Sequence, residues 1–582
     1  MFSPRTLTLW PLLSSVLALV LSLLVGRLSP LISGTSLVAG FLLAGKLARG
    51  FGGEGDPWTW RSPHSRDHHL VEYAIILCVA WIAFKNFTWL LYPYDHDWRT
   101  LSKTNLGDLP MHLHFIRAFA GGLHFPPINP LYASEPLRYG FGPDLFNALF
   151  ESLGMPTQGH LWIAGMMATA TSLVALRAYG GWWAMAGFFF SGGLLHWRIV
   201  GAGLADETLA WRNLFETVFL TQRGLMFALP MGLLVLDGAE RMCRGETPMT
   251  RRRVIFLGAI FGLIPFFHPH TFLALGLMLG LLLVRHSKGV RPFVLPLVIS
   301  ALSTSAYFLW QTTSGGAKVS IIRWHAHWTY KSGSVAWYYF ANFGPWLLLV
   351  LAVGVFIVRR REERATFLLP YVSNLFLVLV FLNVMFAPWE WDNIKCLIWP
   401  VIGLFSVGFR TLDRALGSRT RWMLASILCF SGFRQVSLLS RTPPAEGHRL
   451  YTFEDIAKAE AATESLLRLP REQVRVVAAP SYAHVLTYLG LPRVAGYHGH
   501  LWSHAIVGSE ETTRRIDSLY RGDPNWRATL KQLGATHLYL GPDERRVFGE
   551  TNPEWRTALR NTSRIPGHEV YEIGESSASV QP

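Results

Sequence analysis

Twelve ionisable side chains crowd the stretch 93–140: Asp95, His96, Asp97, Arg99, Lys103, Asp108, His112, His114, Arg117, His124, Glu135 and Arg138. Pro126, Pro127, Asn129 and Pro130 set turns among them. From Gly107 to His114 the residues read as a helix start, with Asp108 at the N-cap, Pro110 in the first turn and His112 four positions on from Asp108. A good helix start and nothing more is one reading. A carboxylate offered for acid–base chemistry is the other.

The same residue types recur at separate places further along. Gln222-Arg223 opens an apolar run, His268-Pro269-His270 lies between two, and Arg323, His325, His327, Tyr330 and Lys331 share a loop. Glu390, Asp392 and Lys395 precede another run. His112/His114, His268/His270 and His325/His327 form three His-x-His pairs. Alternate residues point together in strands or loops, but on a helix they diverge by roughly 200°. One of His112 and His114 is therefore expected to join Asp108 while the other packs elsewhere. Imidazoles with Asp108 or Asp392 suit a divalent metal ion; the plainer reading is interface histidines that hydrogen-bond a phosphate. Glu390 and Asp392 have a plain reading as salt-bridge partners of Lys395. Asp206 and Glu207 form either a second carboxylate pair or a solvated loop. The segments 496–504, which holds His500 and His504, and 541–545 read first as turns; the aromatic and histidine content of the former also suits a lid over a sugar or acceptor.

These groups must be positioned by membrane helices. Of 582 residues, 51% are hydrophobic and only 16% charged, with 23 Trp and 37 Phe, which excludes a soluble enzyme of ordinary composition. Apolar runs near 7–26, 31–47, 71–92, 161–179, 181–197, 222–237, 254–268, 270–284, 292–311, 337–358, 366–387, 395–409 and 421–438 predict about thirteen spans. The first is read as a retained helix, since no small-residue cleavage pattern follows it. The formal charge is +15, yet residues 441–582 hold 17 basic and 17 acidic side chains, so the excess belongs to the apolar part. Of the 53 basic residues, 22 fall on one side of the predicted spans, Arg251, Arg252 and Arg253 among them. This predicts an inner N-terminus and an outer C-terminal part in a cell or plasma membrane, and disfavours a nucleic-acid partner. Every group singled out above then lies on the outer side. Polar groups at membrane depth are expensive unless they face a cavity or a partner, so this convergence points to a site. The inner face offers only basic loops that topology explains. Four scattered cysteines (Cys78, Cys243, Cys396, Cys429) exclude a disulfide framework.

The predicted fold is an α-helical multi-pass transmembrane domain over 1–439, with the outer loop 93–140, followed by a small α/β domain over 440–582. Short apolar patches at 474–479 and 537–540 alternate there with helical periodicity over 456–469. The Ser- and Glu-rich tail 574–582 is expected to be disordered.

An aspartate in the first long outer loop, followed by an amphipathic stretch, resembles the GT-C superfamily of multi-pass glycosyltransferases that use polyprenyl-phosphate sugars. The runs 125–130, 137–140, 221–224, 391–395 and 496–504 also resemble uncharacterised prokaryotic membrane proteins assigned to that group. This second resemblance covers most of the chain. One departure is the hairpin at 7–47, which precedes the aspartate loop. The resemblance implies sugar transfer from a polyprenyl-phosphate donor to an acceptor hydroxyl, with inversion and with Asp108 as general base. It also implies that Arg223, Arg323 and Lys395, with Arg138 behind them, stabilise the leaving phosphate. His112, His114, His268, His270, Asp392 and His500 complete the expected substrate contacts. A lipid, glycan or protein is the implied acceptor.

Two rival classes stand beside it. A transporter or lipid flippase would show inverted repeats and paired intramembrane charges, and neither is visible. An acyl- or phosphotransferase would need a group inside a span, for which His268 and His270 are the candidates. No nucleotide-binding loop of the Walker type occurs.

Overall fold

The computed structural model describes residues 2–51, 56–60, 66–100, 108–194, 213–314, 322–328, 330, 333–387, 389–439, 452–504, 506–549 and 553–574. Lys103, Asp206, Glu207, Lys331, the domain boundary near 440 and the tail 575–582 lie outside these described residues.

The chain opens with a helical hairpin, α1 (Pro4–Val25) and α2 (Pro30–Phe51). Ser3 caps α1 by accepting from the Thr6 amide at 3.1 Å, and Gly26, at φ 90°, ends it in the left-handed region. Next come α3 (Arg66–Thr88) and a hairpin of β1 (Tyr92–Tyr94) and β2 (Asp97–Arg99). The helices α4 (Leu109–Ala120), α5 (Gly142–Ser152), α6 (Thr157–Phe189), α7 (Arg223–Cys243), α8 (Arg251–Leu263) and α9 (Pro269–Arg285) follow. Proline sits in the first turn of α1, α4, α5 and α9, where its missing N–H leaves no intrahelical bond unmade. The series continues with α10 (Ser287–Thr313), β3 (Arg323–Trp324), α11 (Val335–Phe343), α12 (Pro345–Arg359), α13 (Arg361–Asn383), β4 (Val384–Met385), α14 (Ile394–Thr411) and α15 (Ser418–Leu439).

This is an α-helical membrane protein. Among the described residues seven helices are long and apolar enough to cross a membrane, or eight if α11 and α12, bent by 100°, count as one span. The expected thirteen thus exceed what length and composition support, for three physical reasons. The run 161–179 and the start of the run at 181 meet in α6, which is broken at Gly180 and Gly181, whose backbone angles are non-helical, and which ends at Phe189. The helices α8 and α9 have 13 and 17 residues, short of the ~20 that hydrocarbon requires. Finally, α7 and α15 carry charges within their length, Asp237, Glu240 and Arg241 in the first and Arg419, Arg421 and Arg434 in the second.

Beyond residue 452 the chain forms a four-stranded sheet in the order β5 (Val476–Val477), β6 (His537–Leu540), β8 (Glu569–Glu572), β7 (Arg560–Asn561). β5 and β6 are parallel and the other pairs antiparallel. Both apolar patches singled out in the sequence supply a strand. Helices α16 (Ile456–Ala462), α17 (His498–Ser503), α18 (Ser509–Tyr520), α19 (Trp526–Leu533) and α20 (Pro542–Phe548) accompany the sheet. The segments 496–504 and 541–545, expected as turns, are largely helical: the first forms α17, and Gly541 is the N-cap of α20, with its amide held by Glu544 at 2.8 Å.

The loop expected at 93–140 is sewn to this part by backbone bonds. Arg493 N donates to Pro130 O at 2.8 Å, Ala133 N to Arg493 O at 2.9 Å, and Gly496 N to Leu131 O at 2.7 Å. Trp98 and Phe453 exchange a bridge. Paired backbone groups fix the approach of α17 to α4, because breaking them underneath a packed interface leaves polar groups unsatisfied.

Candidate active site

Asp108 occupies the N-cap position of α4, but its side chain makes no capping bond. The expected cap is thus only positional. The carboxylate, one-third exposed, instead accepts from Gln222 Nε2 at 3.1 Å through Oδ2, while Oδ1 stands 4.0 Å from His500 Nε2. Gln222 is the N-cap of α7 and His500 belongs to α17. Three distant segments therefore meet at one carboxylate.

His112 does not join Asp108. Its Nδ1 lies 2.8 Å from Asp144 Oδ1 in α5, with both side chains buried. Burial raises the Asp144 carboxyl, opposed by His112 and by Arg223. His114 turns away, as the helical period requires, and its Nε2 meets Leu491 O at 2.9 Å. Burial pushes His114 down to about 3, so it is a neutral core histidine. The Tyr139 ring lies 5.9 Å from His112 and 4.7 Å from His504. Its hydroxyl is held well above the ordinary tyrosine value by burial and then by the charges of Asp108, Asp144 and Asp392.

The opposite wall is built from helix starts. Gly142 of α5 abuts Phe267 and the Phe266 carbonyl, and Gly224 of α7 abuts the Phe267 carbonyl so closely that no side chain fits at either position. The Cys396 thiol of α14 lies 3.7 Å from His270 O. The N-termini of α5, α7, α9 and α14 therefore gather around the turn 264–270, each carrying roughly half a positive charge. Arg223 is the first residue of α7 and is buried within electrostatic reach of Asp144. Lys395 pairs with Asp392 at 2.7 Å. His268 caps α9, its Nδ1 accepting from Thr271 N at 3.3 Å, and its ring lies 5.6 Å from that of His270.

On the α17 side, burial lowers His500 to about 4, with Asp108 opposing, and lowers His504 to about 3. Both are neutral at pH 7. His112 Nε2, His268 Nε2, His500 Nε2 and both ring nitrogens of His504 are buried with no hydrogen-bond partner among the described residues. Each such atom costs about 1–3 kcal/mol unless a water or a ligand satisfies it. So many unpartnered nitrogens are more than a packed core ordinarily leaves.

Other expected members stand apart. Arg138 pairs with Glu135 at 3.0 Å, and Arg323 lies exposed on β3. His325 meets Glu390 at 3.3 Å, and His327 meets the Tyr339 hydroxyl at 2.5 Å. Glu390 thus pairs with His325, and Lys395 with Asp392. Among the described residues no group of three or more His, Cys, Asp or Glu side chains is arranged to hold a metal ion. Sequence reasoning missed Asp144, since Gly142-Pro143-Asp144 looks like any helix start, and it left the paired Tyr139 and His504 unassigned. It also missed two charged cavities at the end of the helices that bears the basic loops.

No protein-family model matches the chain, and no curated protein is significantly similar to it.

Proposed function

We propose that the protein is an inverting glycosyltransferase of the GT-C type, moving a sugar from a polyprenyl-phosphate donor to an acceptor hydroxyl at the outer membrane face. The acceptor oxygen attacks the anomeric carbon as the bond to the phosphate oxygen breaks, and Asp108 takes the acceptor's proton. The departing polyprenyl phosphate gains negative charge, which the helix starts of α5, α7, α9 and α14, with Arg223 and Lys395, are placed to stabilise. Its lipid tail runs between helices. The reading carries a topology with it: N-terminus inside, the sheet-containing part outside as an α/β domain, and the short helices α8 and α9 as further, tilted spans. His500 and His504 then form a lid over the sugar.

The observation that carries this reading is the carboxylate of Asp108. It sits where a helix cap would consume it, yet it is held by Gln222, one residue from Arg223, with its other oxygen toward His500. A base and an anion-stabilising wall thus share one helix start. The test is transfer of radiolabelled sugar from polyprenyl-phosphate donors to membrane extracts by wild type and Asp108→Asn, each with and without chelator. Asparagine keeps the bond from Gln222, so folding should survive while transfer falls by at least about 10²-fold. Equal activity in the variant would remove Asp108 as base. Donor binding without transfer would favour a lipid flippase, and loss with chelator would bring a metal ion into the reaction.

A further inference from the structure

At the far end of the helices a cavity of about 230 Å³ opens between the start of α1, the end of α7 and the start of α8. Three guanidinium groups (Arg5, Arg241, Arg253) and three carboxylates (Asp56, Asp237, Glu246) line it. Equal numbers suggest a closed ion-pair network, but the hydrogen bonds say otherwise. Asp56 is taken by Arg5 and by the Trp58 amide at 3.0 Å, Asp237 by the Trp58 indole N–H at 3.0 Å, and Glu246 by Arg244 Nε at 2.6 Å. Each carboxylate is thus already held by a donor of the protein. Arg241 reaches Glu246 only at 3.6 Å, and the Nε atoms of Arg5 and Arg241 are buried with no hydrogen-bond partner among the described residues. Arg253 gives one bond, to Pro248 O at 3.2 Å. What remains unclaimed is donor capacity: a guanidinium has five N–H groups, and Arg5 and Arg253 each spend one in the bonds above.

Two helix N-termini add to it. Arg5 lies in the first turn of α1 and Arg253 in the first turn of α8, and neither first turn holds an acidic residue. Positive helix ends, guanidiniums and a cavity large enough for a tetrahedral oxyanion are the groups that recognise phosphate. Besides Gly238, Thr247 and Pro248, its remaining lining is a large apolar wall of Phe51, Leu234, Met242 and Leu257, and Phe51 packs on Phe256 with ring centroids 4.3 Å apart. A free phosphate ester has no use for such a wall, whereas the glycerol and first acyl carbons of a lipid do.

We infer that this cavity binds the phosphate of an anionic phospholipid from the leaflet on the side of the basic loops. The site stands independently of the transferase reading and lies at the opposite end of the helices from Asp108. Phosphate oxygens accept from Arg241 and Arg253, and the acyl chains lie along α2 and α8.

The full chain in lipid-free maltoside detergent is titrated with short-chain phosphatidylglycerol or with inorganic phosphate, following the thermal unfolding midpoint. A saturable rise with phosphatidylglycerol is expected, its half-point moving at least about tenfold in Arg241→Gln. Arg252→Gln, which removes the same charge from an exposed neighbour on α8, leaves it unchanged. Arg253→Gln repeats the test should Arg241→Gln fail to fold. A rise with inorganic phosphate equal to that with lipid overturns the lipid assignment. No saturable rise, or equal shifts in Arg241→Gln and Arg252→Gln, overturns the site.

Discussion

His112 and Asp144 form a buried imidazole–carboxylate pair at 2.8 Å that joins α4, the helix Asp108 begins, to α5. Neither residue has another hydrogen bond to replace this one: His112 Nε2 and Asp144 Oδ2 are buried without partners among the described residues. Removing the imidazole strands a carboxyl group in a dry environment. His112→Ala is therefore expected to destabilise by about 3–5 kcal/mol. Asp144→Asn keeps an acceptor for His112 and is expected to lose only about 1 kcal/mol. Thermal unfolding of both variants in detergent checks the order, and equal losses would show that the pair acts merely as a neutral hydrogen bond.

Histidines at the interface between α17 and α4 give the protein an acid limit. His500 and His504 have folded values of about 4 and about 3, below the ordinary 6.5. Between those values and 6.5 the unfolded chain binds more protons than the folded one, so stability is full above pH 6.5 and falls as the pH drops through that window. At pH 5 the loss is on the order of 2 kcal/mol per histidine. The unfolding midpoint should fall between pH 7 and pH 5, and His500→Gln with His504→Gln should flatten that slope. An unchanged slope in the double variant would place the acid sensitivity elsewhere.

Arg223 tests the anion wall separately from the base. It is buried at the start of α7, beside the helix starts that face the turn 264–270. A cation that stabilises charge only as it develops affects turnover more than donor affinity. Arg223→Gln is expected to lower kcat by about 10²–10³-fold with a small change in KM, and Arg223→Lys to recover part of it. A rise in KM at constant kcat would make Arg223 a ground-state contact.

Local relationships were legible in the sequence and distant ones were not. Asp392 and Lys395 pair at 2.7 Å because three residues of helix bring them together, and Asp108 with Pro110 marks the start of α4 for the same reason. The strands β5 and β6 followed from their apolar runs. The partner of His112 could not be read, because Asp144 becomes special only when α5 folds back on α4. Nor could the fate of the Asp108 side chain, which depends on Gln222 and His500 arriving from other helices. In the His-x-His pairs the divergence of His112 and His114 followed from the helical period, but the partners did not: the backbone sends members of the pairs to a carboxylate, a carbonyl, a cap and a phenol.

Gly180 and Gly181 interrupt α6, and Gly181 offers the sharpest test of that break. Gly181 has φ 56° and ψ −153°, a region open to glycine and closed to other residues, and it divides α6 into two segments. A Cβ there would also run into the ring of Phe409 in α14. Backbone and packing therefore penalise Gly181→Ala together, by about 1–3 kcal/mol for the backbone alone. Gly280→Ala in α9, where a Cβ meets nothing within 4 Å, should be stabilising by about 1 kcal/mol through helix propensity. Unfolding midpoints of the two variants should move in opposite directions. A stable Gly181→Ala protein would mean that α6 runs through this point without the break, and that the close approach of Phe409 has been relieved by a shift of α14.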